Sequence, residues 1–202
     1  LNSVSDMLHA LQVSEKTLKK GEIEAPRYRA LYLDEQLKEK QGISVERERS
    51  YKSLIRNMKS VEDSDFELPE SLKKVLRPYQ QKGFFWLKTL CQNGFGGILA
   101  DDMGLGKTLQ VIAFLLSSFE EGEEKRSLII SPASLVYNWE NEIHRFAPAL
   151  PVRVLAGTAE ERTEILKNGV PGEILVTSYE TMRRDQELYK GEDFFCEVID
   201  EA

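Results

Sequence analysis

The sequence predicts an α/β fold in which a parallel β-sheet is covered by helices on both faces. From residue 71 onward, short apolar runs alternate with stretches of helical periodicity, which is the pattern of repeated strand–helix–strand units. The apolar runs are continuous, as expected for strands that are buried on both sides. A glycine-rich loop connects one of these runs to an apolar helix. In such sheets the crossovers are right-handed, and ligands bind beyond the carboxyl ends of the strands.

Residues 1–60 differ in composition from the rest and predict a small helical extension. They contain stretches rich in Lys, Arg and Glu, with few apolar positions. Within 44–59 the apolar residues follow an i, i+3, i+4, i+7 spacing, which predicts an amphipathic helix with Ser44 in position to cap it. Residues 27–40 are predicted to be helical as well. The apolar positions that carry the spacing are Tyr51, Leu54, Ile55 and Met58.

The acidic segment 61–70 is predicted to be a linker, because it combines clustered carboxylates with Pro69. The chain is therefore expected to divide into the extension at 1–60, this linker, and one domain at 71–202. The predicted strands of that domain are 96–100, 127–131, 152–156, 173–178 and 196–200. The helical stretches between them are 107–119, 134–146, 158–168 and 178–189.

Composition argues against several classes of protein. Apolar residues make up 41% of the 202 residues and charged residues 30%, as in globular proteins, and no apolar run is long enough to span a membrane. The N-terminal residues lack the layout of a secretory signal. The two cysteines, Cys91 and Cys196, do not suffice for a disulfide scaffold or a Cys-rich zinc site, and are expected to be buried thiols of an intracellular protein. The net charge of −7 indicates that any contact with nucleic acid is local.

Residues 101–108 form a candidate phosphate-binding loop. They read Asp-Asp-Met-Gly-Leu-Gly-Lys-Thr and lie between a predicted strand and an apolar helix, which is the context that such a loop requires. The glycines allow backbone N–H groups to face an anion, and the helix N-terminus adds its dipole. Lys107 would reach the β- and γ-phosphates of ATP, and the Thr108 hydroxyl would bind Mg²⁺. The predicted nucleotide-binding residues here are Asp102, Met103, Gly104, Leu105, Gly106, Lys107, Thr108 and Leu109.

The loop departs from the strict phosphate-loop pattern at its first position. That pattern has Gly six residues before the Lys, and Asp101 stands there in this sequence. The alternative interpretation is a glycine-rich turn that binds no ligand. The Gly-Lys-Thr sequence between a strand and a helix favours the phosphate loop.

An acidic pair, Asp200 and Glu201, follows the last predicted strand. Asp200 would hold the Mg²⁺ shell, directly or through water, and Glu201 would polarise the attacking water as general base. Alone, such a pair is most often a solvated turn. Its position several strand–helix units after the loop favours a catalytic role, so Lys107, Asp200 and Glu201 are the predicted catalytic residues. The predicted Mg²⁺ ligands are Thr108 and Asp200.

Several segments together resemble the Swi/Snf-like ATPases, which are helicase-like double-stranded DNA translocases of superfamily two. The resemblance covers 71–202, and the motifs occur in the family's order. It implies the first of two RecA-like lobes, and an Asp at 101 is typical of that superfamily. RYRALYLDEQL at 27–37 resembles the end of the helicase-associated region that precedes the motor in bacterial members. The motor segments are LRPYQ (76–80), ILADDMGLGKTLQ (98–110), LIISPASLVYNWENEI (128–143), TSYE (177–180) and VIDEA (198–202).

The resemblance also implies an adenine site and contacts with DNA. Gln80 would read the adenine edge, which an amide can bond bidentately, while Arg77 and Tyr79 would flank the base. The alternative for these residues is an ordinary helix start. Trp139 is expected in the core. The residues that match DNA-backbone contacts, for which a strand end with a helix cap is the alternative, are Ser131, Pro132, Ala133, Ser134, Thr177 and Ser178.

The family's second RecA-like lobe, with its arginine fingers, is missing from these 202 residues. The expected protein is a DNA-dependent ATP hydrolase of the cytoplasm and nucleoid, with double-stranded DNA and that second lobe as partners. Because hydrolysis takes place between the lobes, this fragment, truncated at the acidic motif, is expected to hydrolyse little or no ATP. Two alternatives stay open: an RNA helicase or strand-separating DNA helicase lobe, and a non-enzymatic ATP-gated interaction module that uses 1–60 as its partner surface.

Overall fold

The computed structural model of the chain describes residues 32, 34–35, 48–49, 51–53, 55 and 65–201. Tyr32 and residues 34–35 are helical, which agrees with the helix predicted at 27–40. Arg49, residues 51–53 and Ile55 are helical too, as predicted for 44–59. The rest of both predicted helices, with Ser44, Leu54 and Met58, lies outside the described residues, as does the linker up to residue 64.

Two compact units divide the chain. The smaller comprises Leu1–Ser64 and Phe85–Ile98, and the larger comprises Asp65–Phe84 and Leu99–Ala202. Helix α1, Pro78–Gln92, begins in the larger unit and ends in the smaller one. All the strands that the structure describes belong to the larger unit.

The larger unit is built on a parallel sheet in the order β2-β3-β1-β4. β1 and β3 are central and buried along their whole length, as their continuous apolar sequences predicted. β4 pairs only with β1 in the described chain, and its residues alternate in exposure because it lies at the edge. The strands are β1 Ser127–Ser131, β2 Val152–Val154, β3 Ile174–Ser178 and β4 Cys196–Ile199.

Helices cover both faces of this sheet, as predicted. The chain steps from β1 to β2 in one direction across the sheet and returns through β3 to β4, so right-handed crossovers place the helices of the two directions on opposite faces. The helix after β1 contacts β2 and β3, and it also contacts the helix that follows the glycine-rich loop. The helices are α2 Lys107–Glu120, α3 Val136–Phe146, α4 Ala159–Lys167 and α5 Tyr179–Arg184, with 3₁₀ turns at Ala133–Leu135 and Gln186–Tyr189.

One apolar cluster fills the face covered by α4 and α5. Alternate residues of the central strands, including Leu128 and Leu175, pack there against Leu166 and Tyr189. The helix predicted at 178–189 is interrupted within this region. Asp185 ends α5, and the 3₁₀ turn Gln186–Tyr189 follows it. The Asp185 carboxylate accepts hydrogen bonds from the buried guanidinium of Arg162.

The strand predicted at 96–100 is not present in the structure, and this prediction was wrong. Residues 95–100 form neither helix nor strand, and the side chain of Ile98 is 87% exposed. A strand gains its stability from hydrogen bonds to a neighbour, and no described strand pairs with this segment. Gly97 instead lies so close to Leu90 and Trp86 that a Cβ would overlap both side chains. The candidate phosphate loop therefore follows an irregular segment.

The cysteines and the helices also bear on the classes of protein that the composition argued against. Cys91 and Cys196 form no disulfide, as expected, but both are partly exposed rather than fully buried. No helix among the described residues has both the length and the apolar character to cross a bilayer.

Candidate functional site

The loop before α2 has the geometry of an anion nest. Gly104 and Gly106 have φ values of 80° and 75°, in the left-handed region that only glycine adopts at low cost. Gly106 is the N-cap of α2, and no side chain caps the first N–H groups of that helix. The space where a Cβ of Gly104 would lie is open. The backbone donors at the start of α2 and the positive end of the helix dipole thus lie close to open space at Gly104.

The ammonium group of Lys107, at the end of this loop, is hydrogen-bonded to backbone carbonyl groups at the start of the loop. The Nζ atom donates to the carbonyl oxygen of Asp101 at 2.7 Å and to that of Asp102 at 3.4 Å. Both acceptors are neutral backbone groups, so a phosphate oxygen would be a stronger partner. Thr108 and Leu109 follow in the first turn of α2 and are half-buried, while Met103 is 86% exposed at the tip of the loop.

The structure brings the predicted adenine residues to the same loop. The Gln80 Nε2 donates to the carbonyl oxygen of Leu105 at 3.0 Å, and the Tyr79 hydroxyl donates to that same oxygen at 3.0 Å. The other end of the Gln80 carboxamide accepts the Arg77 backbone N–H at 2.9 Å. Gln80 is buried, and a Cβ at Gly106 would overlap its Nε2. The start of α1 therefore packs on the phosphate loop through these residues.

Asp200 is held by three hydrogen bonds at the end of β4. Its backbone N–H donates to Ile130 of the central strand β1 at 2.9 Å, and its carbonyl accepts the Tyr179 hydroxyl at 2.5 Å. Its carboxylate Oδ2 accepts the Trp139 indole N–H at 2.8 Å. Burial raises the pKa of Tyr179, and the negative charges of Asp200 and Glu201 add to that effect, so the phenol stays protonated and able to donate.

The two predicted carboxylates differ in their surroundings. Asp200 is fixed on both its main chain and its side chain, whereas Glu201 is exposed and has a positive φ of 54°. Only Oδ2 of Asp200 has a donor within the described part of the chain, so Oδ1 is available to a cation. A carboxylate oxygen and the hydroxyl of Thr108 are hard oxygen donors of the kind that Mg²⁺ prefers. The chemistry of these side chains fits that ion.

The predicted DNA-contact residues lie at the carboxyl edge of β1 and β3. Ser131 and Ser178 are paired in register there, and they end their strands. The side chains of Ser131 and Thr177 are fully buried, and the Ser178 hydroxyl caps α5 by accepting the Thr181 N–H at 3.1 Å. Because Ser131 and Thr177 are buried as whole residues, their main-chain groups are no more accessible than their side chains, and Ser178 is only 9% exposed. The remaining candidates are Pro132, Ala133 and Ser134, of which the last two are exposed.

Sequence reasoning missed three residues that contact the site. Trp139 is 3% exposed, which confirms that it belongs to the core, but its N–H also binds Asp200. Tyr179 binds the main chain of the same residue. Gln110 is fully buried, and its Nε2 donates to the Asp101 carboxylate at 2.9 Å. A polar residue between Leu109 and the apolar run 111–116 was the signal that could have identified Gln110.

Comparison with known families gives two matches along the chain. Residues 79–202 match the SNF2-related domain family, and residues 1–69 match the family described as bacterial SNF2 helicase associated. The first match includes the phosphate loop, the acidic pair, and Tyr79 and Gln80.

Two curated relatives show the extent of the similarity. An uncharacterized ATP-dependent helicase of Mycoplasma pneumoniae is 44% identical over 154 residues, which cover 73% of this chain and 15% of that protein. The chromatin-remodeling ATPase INO80 of Arabidopsis thaliana is 39% identical over 149 residues, which cover 69% of this chain and 10% of that protein. The chain thus spans a small part of the length of these relatives.

Solved structures of the same type share the fold. The Sulfolobus solfataricus SWI2/SNF2 ATPase core in complex with dsDNA has a TM-score of 0.58 and 42% identity, and the match covers 67% of this chain and 28% of that one. The Sulfolobus solfataricus SWI2/SNF2 ATPase core domain has a TM-score of 0.56 and 38% identity, with 68% and 27% covered. The shared fold is RecA-like, as the resemblance implied. With the family matches and the identities in agreement, the chain belongs to the SNF2-related domain family, whose relatives here are ATP-dependent helicases and remodelling ATPases.

Proposed function

We propose that this chain is the ATP-binding lobe of an ATP-driven motor that moves on double-stranded DNA. The observation that carries the proposal is the turn at Gly104 and Gly106, where both glycines have positive φ values and Gly104 borders open space. There the uncapped N–H groups of α2 and the ammonium group of Lys107 lie within one short segment. An anionic ligand with several oxygens, such as a triphosphate, matches this set of donors.

Each residue of the proposed site has a distinct task. Lys107 exchanges its backbone carbonyl partners for β- and γ-phosphate oxygens and neutralises their charge. Thr108 and Asp200 hold Mg²⁺, which supplies charge compensation on the phosphates when bound. Glu201, exposed beyond the edge strand, orients a water molecule and accepts its proton as general base.

The adenine base is proposed to bind beside the start of α1. Gln80 is placed there by its bonds to Arg77 and Leu105, and it would exchange the Leu105 carbonyl for the acceptor edge of the base. Tyr79 is 37% exposed and offers a ring face for stacking, with Arg77 exposed next to it. Because both Tyr79 and Gln80 bind the phosphate loop in this structure, base binding and loop conformation would be coupled.

DNA is proposed to contact the carboxyl edge of β1 and β3 through its phosphates. Exposed Ala133 and Ser134 present a short helical turn there, with half-buried Pro132 before it. Contact with the predicted residues Ser131, Thr177 and Ser178 would require the buried strand ends to become exposed. Contacts of this kind bind the backbone and not the base edges, so they tolerate any sequence. The likeness to an ATPase core that was solved with double-stranded DNA supports this partner.

Three further parts of the proposal concern the intact protein. A second RecA-like lobe would complete the charge clamp around the transferred phosphate, as hydrolysis by this type of motor requires. Residues 1–60 would be a helical extension joined by the linker 61–70 to the lobe at 71–202. The separate family matches, which end at 69 and begin at 79, support a boundary in this region. Activity on DNA would place the protein in the cytoplasm with the nucleoid.

The experiment that tests this function is the Lys107→Ala substitution in the full-length protein. We expect ATP hydrolysis stimulated by duplex DNA to fall by about a hundredfold or more, because the charge on the transferred phosphate is no longer neutralised. The matched control is Lys190→Ala, which removes an exposed lysine paired only with Glu187.

The stimulating nucleic acid decides between the alternatives. Duplex DNA should stimulate hydrolysis more strongly than single-stranded DNA or RNA in the unsubstituted protein. Stronger stimulation by RNA or by a single strand would assign the protein to the helicases that act on those substrates. Normal DNA-stimulated hydrolysis in the Lys107→Ala protein would place the phosphate site elsewhere.

A further inference from the structure

Three residues that differ from a simple local pattern, Asp101, Gln110 and Gly83, come together around the Gln110 carboxamide. Asp101 stands where the strict loop pattern has glycine, Gln110 is polar in an apolar helix, and Gly83 lies inside α1, where glycine is a poor helix former. In the structure the Gln110 Nε2 donates to the Asp101 Oδ2 at 2.9 Å. A Cβ at Gly83 would overlap the Gln110 Oε1. One arrangement therefore accounts for all three residues.

The backbone at Asp101 does not need glycine. Among the described non-glycine residues only Glu201 has a positive φ, so Asp101 adopts an ordinary conformation in which a side chain costs nothing. That side chain binds Gln110, and the carbonyl of the same residue accepts the Lys107 ammonium at 2.7 Å. Asp101 thus links the interior of α2 to the charged group of the loop.

The Gln110 carboxamide is confined to one position. It is fully buried, its Nε2 is the end that faces a carboxylate, and its Oε1 has no donor in the part of the chain that the structure describes. The orientation follows from the chemistry, since only the amide nitrogen can donate to Asp101. Gly83 provides the space, because any side chain there would displace the carboxamide. The hydrogen bond to the charged Asp101 is of the stronger kind.

We propose that Gln110, seated against Gly83, is a positioning residue that holds Asp101 and thereby fixes the loop around Lys107 for nucleotide binding. The inference rests on the proposed phosphate site and adds residues that do not themselves touch the nucleotide. In this arrangement an anchored aspartate replaces the leading glycine of the strict pattern. Without the hydrogen bond from Gln110, the Asp101 carbonyl that accepts the Lys107 ammonium can move. The ammonium is then no longer held in position before the phosphates bind.

The test measures the dissociation constant of N-methylanthraniloyl-ADP for the full-length protein, together with its melting temperature. Asp101→Ala and Gln110→Leu should each weaken binding about tenfold, because each removes the same charge-assisted hydrogen bond. The double variant should also be about tenfold weaker, not the hundredfold that independent effects would give. Asp101→Asn keeps an acceptor oxygen with a weaker, neutral bond, and should lose only about threefold.

Two variants sharpen the test. Asp101→Gly restores the strict loop pattern, yet we expect it to weaken binding as much as Asp101→Ala does. Gly83→Ala changes a residue of α1 outside the loop and should also weaken binding, because its methyl group displaces Gln110. The control is Ser117→Ala in the same helix. Its hydroxyl binds Glu121 at 2.8 Å at the far end of α2, so the melting temperature should fall without a change in affinity.

The outcomes separate this inference from the proposed function. Tight binding by Asp101→Gly, or a double variant about a hundredfold weaker, would overturn the positioning role. If Lys107→Ala no longer binds nucleotide while Asp101→Ala and Gln110→Leu bind it normally, the phosphate site is supported. Only the positioning role of Gln110 and Asp101 is then wrong. If Lys107→Ala binds nucleotide normally, the proposed function itself fails.

Discussion

At the scale of single residues, the indole of Trp139 both packs in the core and donates a hydrogen bond to the Asp200 carboxylate. The ring is 3% exposed on α3, and its N–H donates to Asp200 at the end of β4. A buried indole N–H needs an acceptor, and a carboxylate fixed in this way loses rotational freedom. One carboxylate oxygen of Asp200 is thus engaged by the protein, and the other is the one that the proposed Mg²⁺ would use.

We expect Trp139→Phe to raise the Mg²⁺ concentration required for half-maximal nucleotide binding by about tenfold, because supporting bonds of a metal ligand have effects of that order. The phenyl ring preserves most of the packing but cannot donate. The measurement is a Mg²⁺ titration of fluorescent ADP binding to the full-length protein. Trp86→Phe, a change on α1 in the smaller unit, is the control, and an unaltered Mg²⁺ requirement in the Trp139 variant would refute this role.

The buried ion pair of Arg162 and Asp185 should make stability depend on pH in acid. Hydrogen bonds from Arg162 hold the pKa of Asp185 below its usual value, so the stabilisation is complete above about pH 4. It is lost as the pH falls through the lowered pKa. At pH 7, Asp185→Asn should lower the free energy of unfolding by about 3 kcal/mol, because it leaves a buried guanidinium without a counter-charge.

Urea unfolding of the chain at pH 7 and pH 3 measures this effect. The difference between the variant and the unsubstituted chain should shrink at the lower pH, where Asp185 itself begins to bind a proton. A difference that is equal at both pH values would show that the charge of Asp185 does not contribute.

At the scale of elements, the two glycines of the phosphate loop carry different constraints. Both have positive φ values, but Gly104 faces open space, whereas a Cβ at Gly106 would overlap the Gln80 amide. We expect Gly104→Ala to cost about 1–2 kcal/mol of stability from backbone strain alone. Gly106→Ala should cost more and should also weaken nucleotide binding, because it forces Gln80 away from Leu105. Thermal unfolding and nucleotide titration of both variants test the contrast, and equal losses would contradict it.

Element prediction succeeded where local pattern and tertiary environment agree. The β1 and β3 strands are buried along their whole length and lie at the centre of the sheet. Helices α2 and α3 begin and end within a few residues of their predicted limits. The run at 96–100 failed because an apolar sequence does not determine whether a partner strand is present. The helix predicted at 178–189 is interrupted at Asp185, whose carboxylate binds Arg162, a residue distant in sequence.

At the scale of the whole molecule, the lobe alone should bind nucleotide but turn over little. Lys107 and Asp200 lie on this chain, whereas the proposed charge clamp also needs groups from a second lobe. A steady-state ATPase assay of the 202-residue chain, with and without duplex DNA, should show no stimulation above background. The full-length protein serves as the positive control. Normal stimulated turnover by the chain alone would remove the requirement for the second lobe.

The sequence by itself determined the class of fold and the positions of the candidate phosphate loop and acidic pair. These depend on local pattern: continuous apolar runs, glycines before a helix, and charges after a strand. Only the tertiary structure decided which side chains support them. Trp139 and Tyr179 on Asp200, and the start of α1 on Leu105, join residues far apart in the chain. Gln110 binds Asp101, nine residues before it, across the loop that separates them. Such contacts depend on how the loop and the helices pack, and the periodicity of the sequence does not predict which side chains then meet.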